Sequence, residues 1–102
     1  MKAYIQGLRD VIRRVHGVDS EHVESVPVKE EFRGQTVWEG IVEVFNLKDH
    51  PTASRVYAWM RDTDEPGKPR HVTVLHVHPI KSAHDAVRAA IVQEFRSIEP
   101  AD

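Results

Sequence analysis

The segment TVWEGIVEVFNL, residues 36–47, restricts the fold of this chain more than any other. Side chains along a strand point alternately to its two sides. Here Val37, Ile41, Phe45 and Leu47 fall on one side, interrupted by Glu39 and Glu43. Trp38, Gly40, Val42 and Val44 fall on the other. A sheet with one solvated face alternates cleanly between apolar and polar residues. This strand does not, so both of its sides call for burial.

The remaining pattern supplies three further strands and two helices. Tyr4, Ile5, Leu8, Val11, Ile12 and Val15 recur at helical spacing and predict a helix over 2–16. Gly17 offers a left-handed cap, and Arg13, Arg14 and His16 stand where the helix dipole favours cations. Val23, Val26, Val28 and Phe32 mark a strand from 21 to about 33. FRGQT is a tight-turn signal in which Gly34 can take a positive φ, so residues 21–47 read as one long hairpin. KDHPT breaks the chain. ASRVYAWMRD is a third strand, TDEPGKP a polar turn, and RHVTVLHVHPI a fourth strand ended by Pro79. The third divides into Val56, Ala58 and Met60 against Tyr57 and Trp59. The fourth divides into Val72, Val74, His76 and His78 against Thr73, Leu75 and Val77. SAHD then forms a capping box, with Ser82 as N-cap and Asp85 three residues on. It opens a helix from Ala83 to about Ile98 with Val87, Ala90, Ile91, Phe95 and Ile98 on one side.

The order α-β-β-β-β-α with short connections predicts an α+β fold. It is read as a two-layer sandwich, a four-stranded antiparallel meander with the N- and C-terminal helices on one face. With no repeat and no linker, residues 1–102 form a single domain. The absence of cysteine excludes a disulfide framework, a thiolate metal cage and a thiol nucleophile, and suits the cytoplasm. No stretch is long and apolar enough for a bilayer, so no membrane partner is expected. A net charge of −2 argues against a general polyanion binder.

Two helices on one face leave the other face apolar and uncovered, and such a patch marks a partner surface. Trp38, Val42, Val44, Tyr57 and Trp59 are the expected interface, with the aromatic residues as anchors. On this basis the chain is a small non-catalytic binding module, homodimeric or docked to a protein partner through the open sheet face. A bulge near Gly40 is the alternative: it re-aims the second strand and moves Trp38 into the core.

Two other chemistries have candidate residues. His76 and His78 project from one side of a strand with Cα atoms roughly 6.6 Å apart, a spacing that lets both rings reach one metal. His50 and Asp49, or His84 and Asp85, are the candidates for a third ligand, and Glu39 or Glu43 would act as base in a hydrolase-like site. No HExxH, GxSxG or glycine-rich phosphate loop accompanies them, so no cofactor is expected. Lys2, Gln6, Arg9, Arg13 and His16 form a basic lane along the first helix that suits nucleic-acid phosphates. Glu24, Glu30, Glu31, Glu39 and Glu43 crowd the hairpin and oppose that partner.

Overall fold

Thirteen-residue strands β1 (Ser20–Phe32) and β2 (Gln35–Leu47) form the hairpin that the turn signal predicts. Arg33 and Gly34 both take positive φ, 53° and 78°, the conformation that two-residue hairpin turns need to match strand twist. β3 (Arg55–Arg61) and β4 (Arg70–Leu75) complete one antiparallel sheet in the order β1-β2-β3-β4. Helix α1 (Lys2–His16) precedes it and α2 (Ala83–Ile98) follows it. The α+β class, the element order and the antiparallel meander are as the sequence predicts. This computed structural model describes residues 2–61 and 70–98. The expected turn TDEPGKP falls wholly outside them, as do the side chains of Phe95 and Ile98.

Both helix ends carry the expected caps. Gly17 takes φ 74° and its amide donates to Arg13 O at 2.8 Å. Ser82 Oγ accepts from the Asp85 amide at 3.1 Å, and the Asp85 carboxylate accepts from the Lys81 amide at 3.1 Å.

The helices take opposite faces of the sheet, which corrects their expected placement on one. Residues paired across neighbouring strands share a face. Val44, Tyr57 and Val74 are in register, as are Trp59 and Val72, and this face packs against Ala83, Ala86 and Val87 of α2. Phe45, Val56 and Leu75 form the next row and face the other way, where Leu8 and Ile12 of α1 cover them. Each helix thus makes its own two-layer contact with the sheet. The reason is the pattern of β2: Val42, Glu43, Val44 and Phe45 are all buried in succession. A run like that is satisfied only by cover on both sides.

Two bulges adjust the hairpin. One β1 residue, Val23, and one β2 residue, Val37, are left without a partner where the register shifts. The second lies beside Trp38 rather than at Gly40, and it accompanies the outcome that the bulge alternative implies. Trp38 packs into the α2-side core, edge to face with Trp59 at 5.7 Å between ring centroids. Gly40 makes room for it, since a Cβ there would lie 3.1 Å from the Trp38 ring.

Opposite-face packing has a direct thermodynamic test. Ile12→Val and Val87→Ala sit in clusters separated by the sheet. Each should lower unfolding free energy by about 1–2 kcal/mol, and the double variant should equal the sum within roughly 0.5 kcal/mol. Urea titrations of the four proteins check this; a coupling well above that margin would place both side chains in one cluster.

Candidate functional site

The five residues expected at an interface are brought together, but inside the protomer. Val42, Val44, Tyr57 and Trp59 are at most 3% exposed and lie beneath α2, with Trp38 half-buried against them. They are core because α2 occupies the face expected to be open. None is available as an anchor for a partner.

The histidines expected to converge on a metal are dispersed. β4 ends at Leu75, so His76 and His78 lie beyond the strand rather than at alternate positions on it. His76 turns toward the α2 side, where its Nδ1 stands 2.6 Å from the Tyr57 hydroxyl. Burial, foremost, raises the Tyr57 phenol above its ordinary pKa of 10.0, so it stays protonated at neutral pH and shares a hydrogen bond with that nitrogen. His50 Nδ1 accepts the amides of Thr52 and Ala53, at 3.2 and 3.0 Å, and organises the loop between β2 and β3. His84 and Arg88 both approach Glu30, at 3.7 and 2.9 Å, and tie α2 to β1. Among the described residues no group of three or more His, Asp or Glu side chains is placed to hold one metal ion.

The basic lane of α1 is engaged within the chain. Arg9 donates to Ser20 O at 3.1 Å and to Gln6 Oε1 at 3.3 Å. Arg13 pairs with Asp19 at 3.3 Å. Gln6 donates to Asp10 at 2.9 Å, which brings a further carboxylate into the lane. The Lys2 side chain lies outside the described residues. Guanidinium groups already held by carbonyl and carboxylate oxygens, beside two aspartates, make a poor phosphate track.

Sequence reasoning missed a polar cluster on the α1 side. Glu43 is 3% exposed, and its Oε1 accepts from the Ser25 hydroxyl and lies 2.9 Å from His22 Nε2. Ser25 is the register partner of Glu43, and His22 is paired to Phe45 just before the first bulge. Tyr4 of α1 closes the cluster: burial, and then the Glu43 charge, hold its phenol above the ordinary value of 10.0. In a nucleophilic relay the imidazole accepts the serine proton. Here serine and histidine both converge on the carboxylate, so the arrangement satisfies a buried charge rather than activating an oxygen. The spacing of His22 and Ser25 on β1 carries no recognisable signal, because only the register with β2 joins them.

Beyond that cluster, among the described residues, the α1-side face of the hairpin carries exposed side chains. Along the same side of β2, Phe45 is fully buried, Glu43 is nearly so, and Ile41 is 49% exposed. Met60, two residues along β3 from buried Ala58, is also exposed, and so is Val37 at the second bulge. Pro27, register partner of Ile41, and the facing pair Lys29 and Glu39 complete the strip. Pro27, Val28, Lys29, Glu39, Gly40 and Ile41 line a shallow depression of about 270 Å³ in it. The apolar side of β2 was legible in the sequence; where the helix stops covering it was not. A second depression, of about 440 Å³, lies on the outer flank of α2 and includes Pro79, Ile80, Asp85 and Val92.

Compared with known proteins, the chain matches no family model, no curated protein and no solved structure. Among the described residues no helix is long and apolar enough to cross a membrane.

The α1 C-terminus provides a pH test. His16 Nε2 lies 2.9 Å from Thr73 Oγ1, and its ring meets that of His50 edge-on at 6.3 Å. Burial, and then the proximity of His50, depress its pKa below the ordinary 6.5. The unfolded chain therefore takes up this proton at a pH where the folded chain does not. The contribution to stability is complete above pH 6.5 and falls as pH drops from there toward the lower folded value. Denaturant titrations across this range should show a shallower decline for His16→Gln than for the native chain; equal slopes would remove His16 as a source.

Proposed function

We propose that this protein is a small non-catalytic binding module that contacts a protein partner through the uncovered part of its α1-side sheet face. The observation that carries this is the exposure of Ile41 on β2 and Met60 on β3, each two residues beyond the buried pair Glu43 and Ala58, with Val37 exposed at the second bulge. Large apolar side chains grouped on a sheet face are a contact surface far more readily than isolated ones are. The strip has the make-up of such surfaces, with apolar groups at its centre and charged groups, Lys29 and Glu39, beside them.

The neighbouring edge supports the use of the face rather than of strand addition. β1 is an edge strand of the sheet and contains Pro27, an unpartnered bulge residue at Val23, and the charges Glu21, Glu24, Lys29 and Glu31. Proline, bulges and charge are the devices that keep sheet edges from pairing with other chains. The flat side of the same hairpin carries no comparable protection at Ile41.

Site-specific photo-crosslinking tests the surface whatever the partner is. An aryl-ketone amino acid in place of Ile41, in the full chain expressed in cells, should yield a discrete higher-mass adduct on illumination. The same residue in place of Arg14, exposed on α1, should yield none. Absence of an adduct from position 41, or equal adducts from both positions, would count against the proposal.

A further inference from the structure

We infer that the loop between β2 and β3 is a proton-operated latch: a neutral His50 holds residues 48–54 closed, and proton uptake by the pair His50 and His16 opens them.

The direction of two hydrogen bonds carries this. A neutral imidazole has one nitrogen that donates and one that accepts, whereas the charged ring has only donors. His50 Nδ1 faces the amides of Thr52 and Ala53 at 3.2 and 3.0 Å, with the Thr52 hydroxyl at 3.5 Å. Backbone amides only donate, so this nitrogen keeps its lone pair and the ring proton sits on Nε2. A proton added to Nδ1 would point at two other N–H groups. The closed loop and the charged ring therefore exclude one another. Asparagine and aspartate side chains ordinarily cap turns of this kind; an imidazole in their place ties the turn to pH.

The ends of the loop are fixed independently. The Leu47 amide donates to Ser54 O at 2.9 Å and the Lys48 amide to Asp19 O at 3.0 Å. Between them Asp49 takes φ 59°, a left-handed conformation uncommon for a residue other than glycine. The His50 ring supplies the acceptor that closes this stretch.

His16 couples the loop to α1. Its ring meets that of His50 edge-on at 6.3 Å, and its Nε2 lies 2.9 Å from the uncharged Thr73 hydroxyl of β4. A charged His16 can still donate to that hydroxyl; what it opposes is a second cation on His50. Of the charged groups at this end, Arg13 and Asp19 at the α1–β1 junction pair with each other, and Arg55 on β3 reaches Tyr57 on the other face. Lys48 and Asp49 in the loop are exposed. The Asp49 carboxylate offsets some of the repulsion, but it leaves the two amides facing a proton. Burial, and then His50, already disfavour the charged form of His16 in the closed state. Protons thus bind the open form better, and acid shifts the population toward it. Opening uncovers Ala53, which is 6% exposed when the loop is closed.

Amide hydrogen exchange of the full chain by NMR, corrected for intrinsic rates, tests the latch. Between about pH 7 and pH 5, the range in which imidazoles charge, protection of the Ala53 amide should fall by about tenfold or more. The Val44 amide, in the centre of the sheet, should change far less. His50→Asn keeps an acceptor that does not titrate, so its Ala53 protection should change by less than about twofold. His50→Leu has no acceptor and should lack the protection at both ends of the range. His16→Gln should show a smaller fall than the native chain. One check needs no variant: at neutral pH the nitrogen spectrum should show Nδ1 of His50 without a proton. A proton on that nitrogen, an unchanged Ala53 amide, or an equal fall in His50→Asn overturns the inference. So does an equal fall at Val44, which marks global unfolding. A fall in His16→Gln equal to the native one overturns the pairing of the two rings.

Discussion

Burial of four successive residues in the middle of β2 is the constraint on which the rest of this structure depends. Val42 and Val44 point to one side and Glu43 and Phe45 to the other, and all four are at most 3% exposed. A strand in an antiparallel sheet commonly buries one side and wets the other. This one buries both, so one helix cannot complete the fold. Two amphipathic helices, one before the sheet and one after it, resolve the problem with one on each side. Each brings its own apolar stripe: Leu8 and Ile12 for the Phe45 side, Ala86 and Val87 for the Val44 side. The small residues of α2 fit the side that carries both indoles, because large groups on the sheet need small ones above them to fill the same layer.

The two layers are unequal in reach, and the inequality produces the surface feature of the molecule. On the α2 side the covered region extends along the hairpin to Val28 and Trp38. Glu30 is fastened there as well, through Arg88 and His84. On the α1 side cover ends at the Glu43 cluster, and Pro27, Ile41 and Met60 are left outside it. A hairpin of thirteen-residue strands is longer than the patch that α1 spans, so one face of it must emerge.

How much of this was legible in the residues follows from what alternation can encode. Caps and turns are local, and Gly17, the Arg33–Gly34 turn and the Ser82–Asp85 pair stand where composition puts them. The two sides of each strand were equally plain. What alternation lacks is any rule that links a side of β2 to a side of β3, since that depends on register. Only the pairing of Val44 with Tyr57 puts Trp38, Tyr57 and Trp59 on the α2 side. Once that is fixed, the aromatic residues that looked like anchors become core. The histidines fail as ligands for a related reason: β4 stops at Leu75, His76 meets Tyr57, His50 holds amides of its own loop, and His84 approaches Glu30. Ile41 and Phe45 are indistinguishable by pattern, and their fates differ only because α1 stops between them.

Glu43 stands at the limit of the α1 cover. A carboxylate at this depth is tolerable only with its hydrogen-bond capacity filled, which Ser25 and His22 provide, under Tyr4. Moving α1 along the sheet by one turn, about 5.4 Å, toward the hairpin tip would bring Leu8 to the place of Tyr4. An apolar side chain would then sit on the carboxylate. Moving it the other way would expose the carboxylate's partners and strip Ala58. The polar cluster therefore acts as a register mark for the helix, with stability given up locally in exchange for a defined docking position. Ile41 and Met60 each lie two residues further along their strands than the buried pair Glu43 and Ala58, and there the cover of α1 has ended.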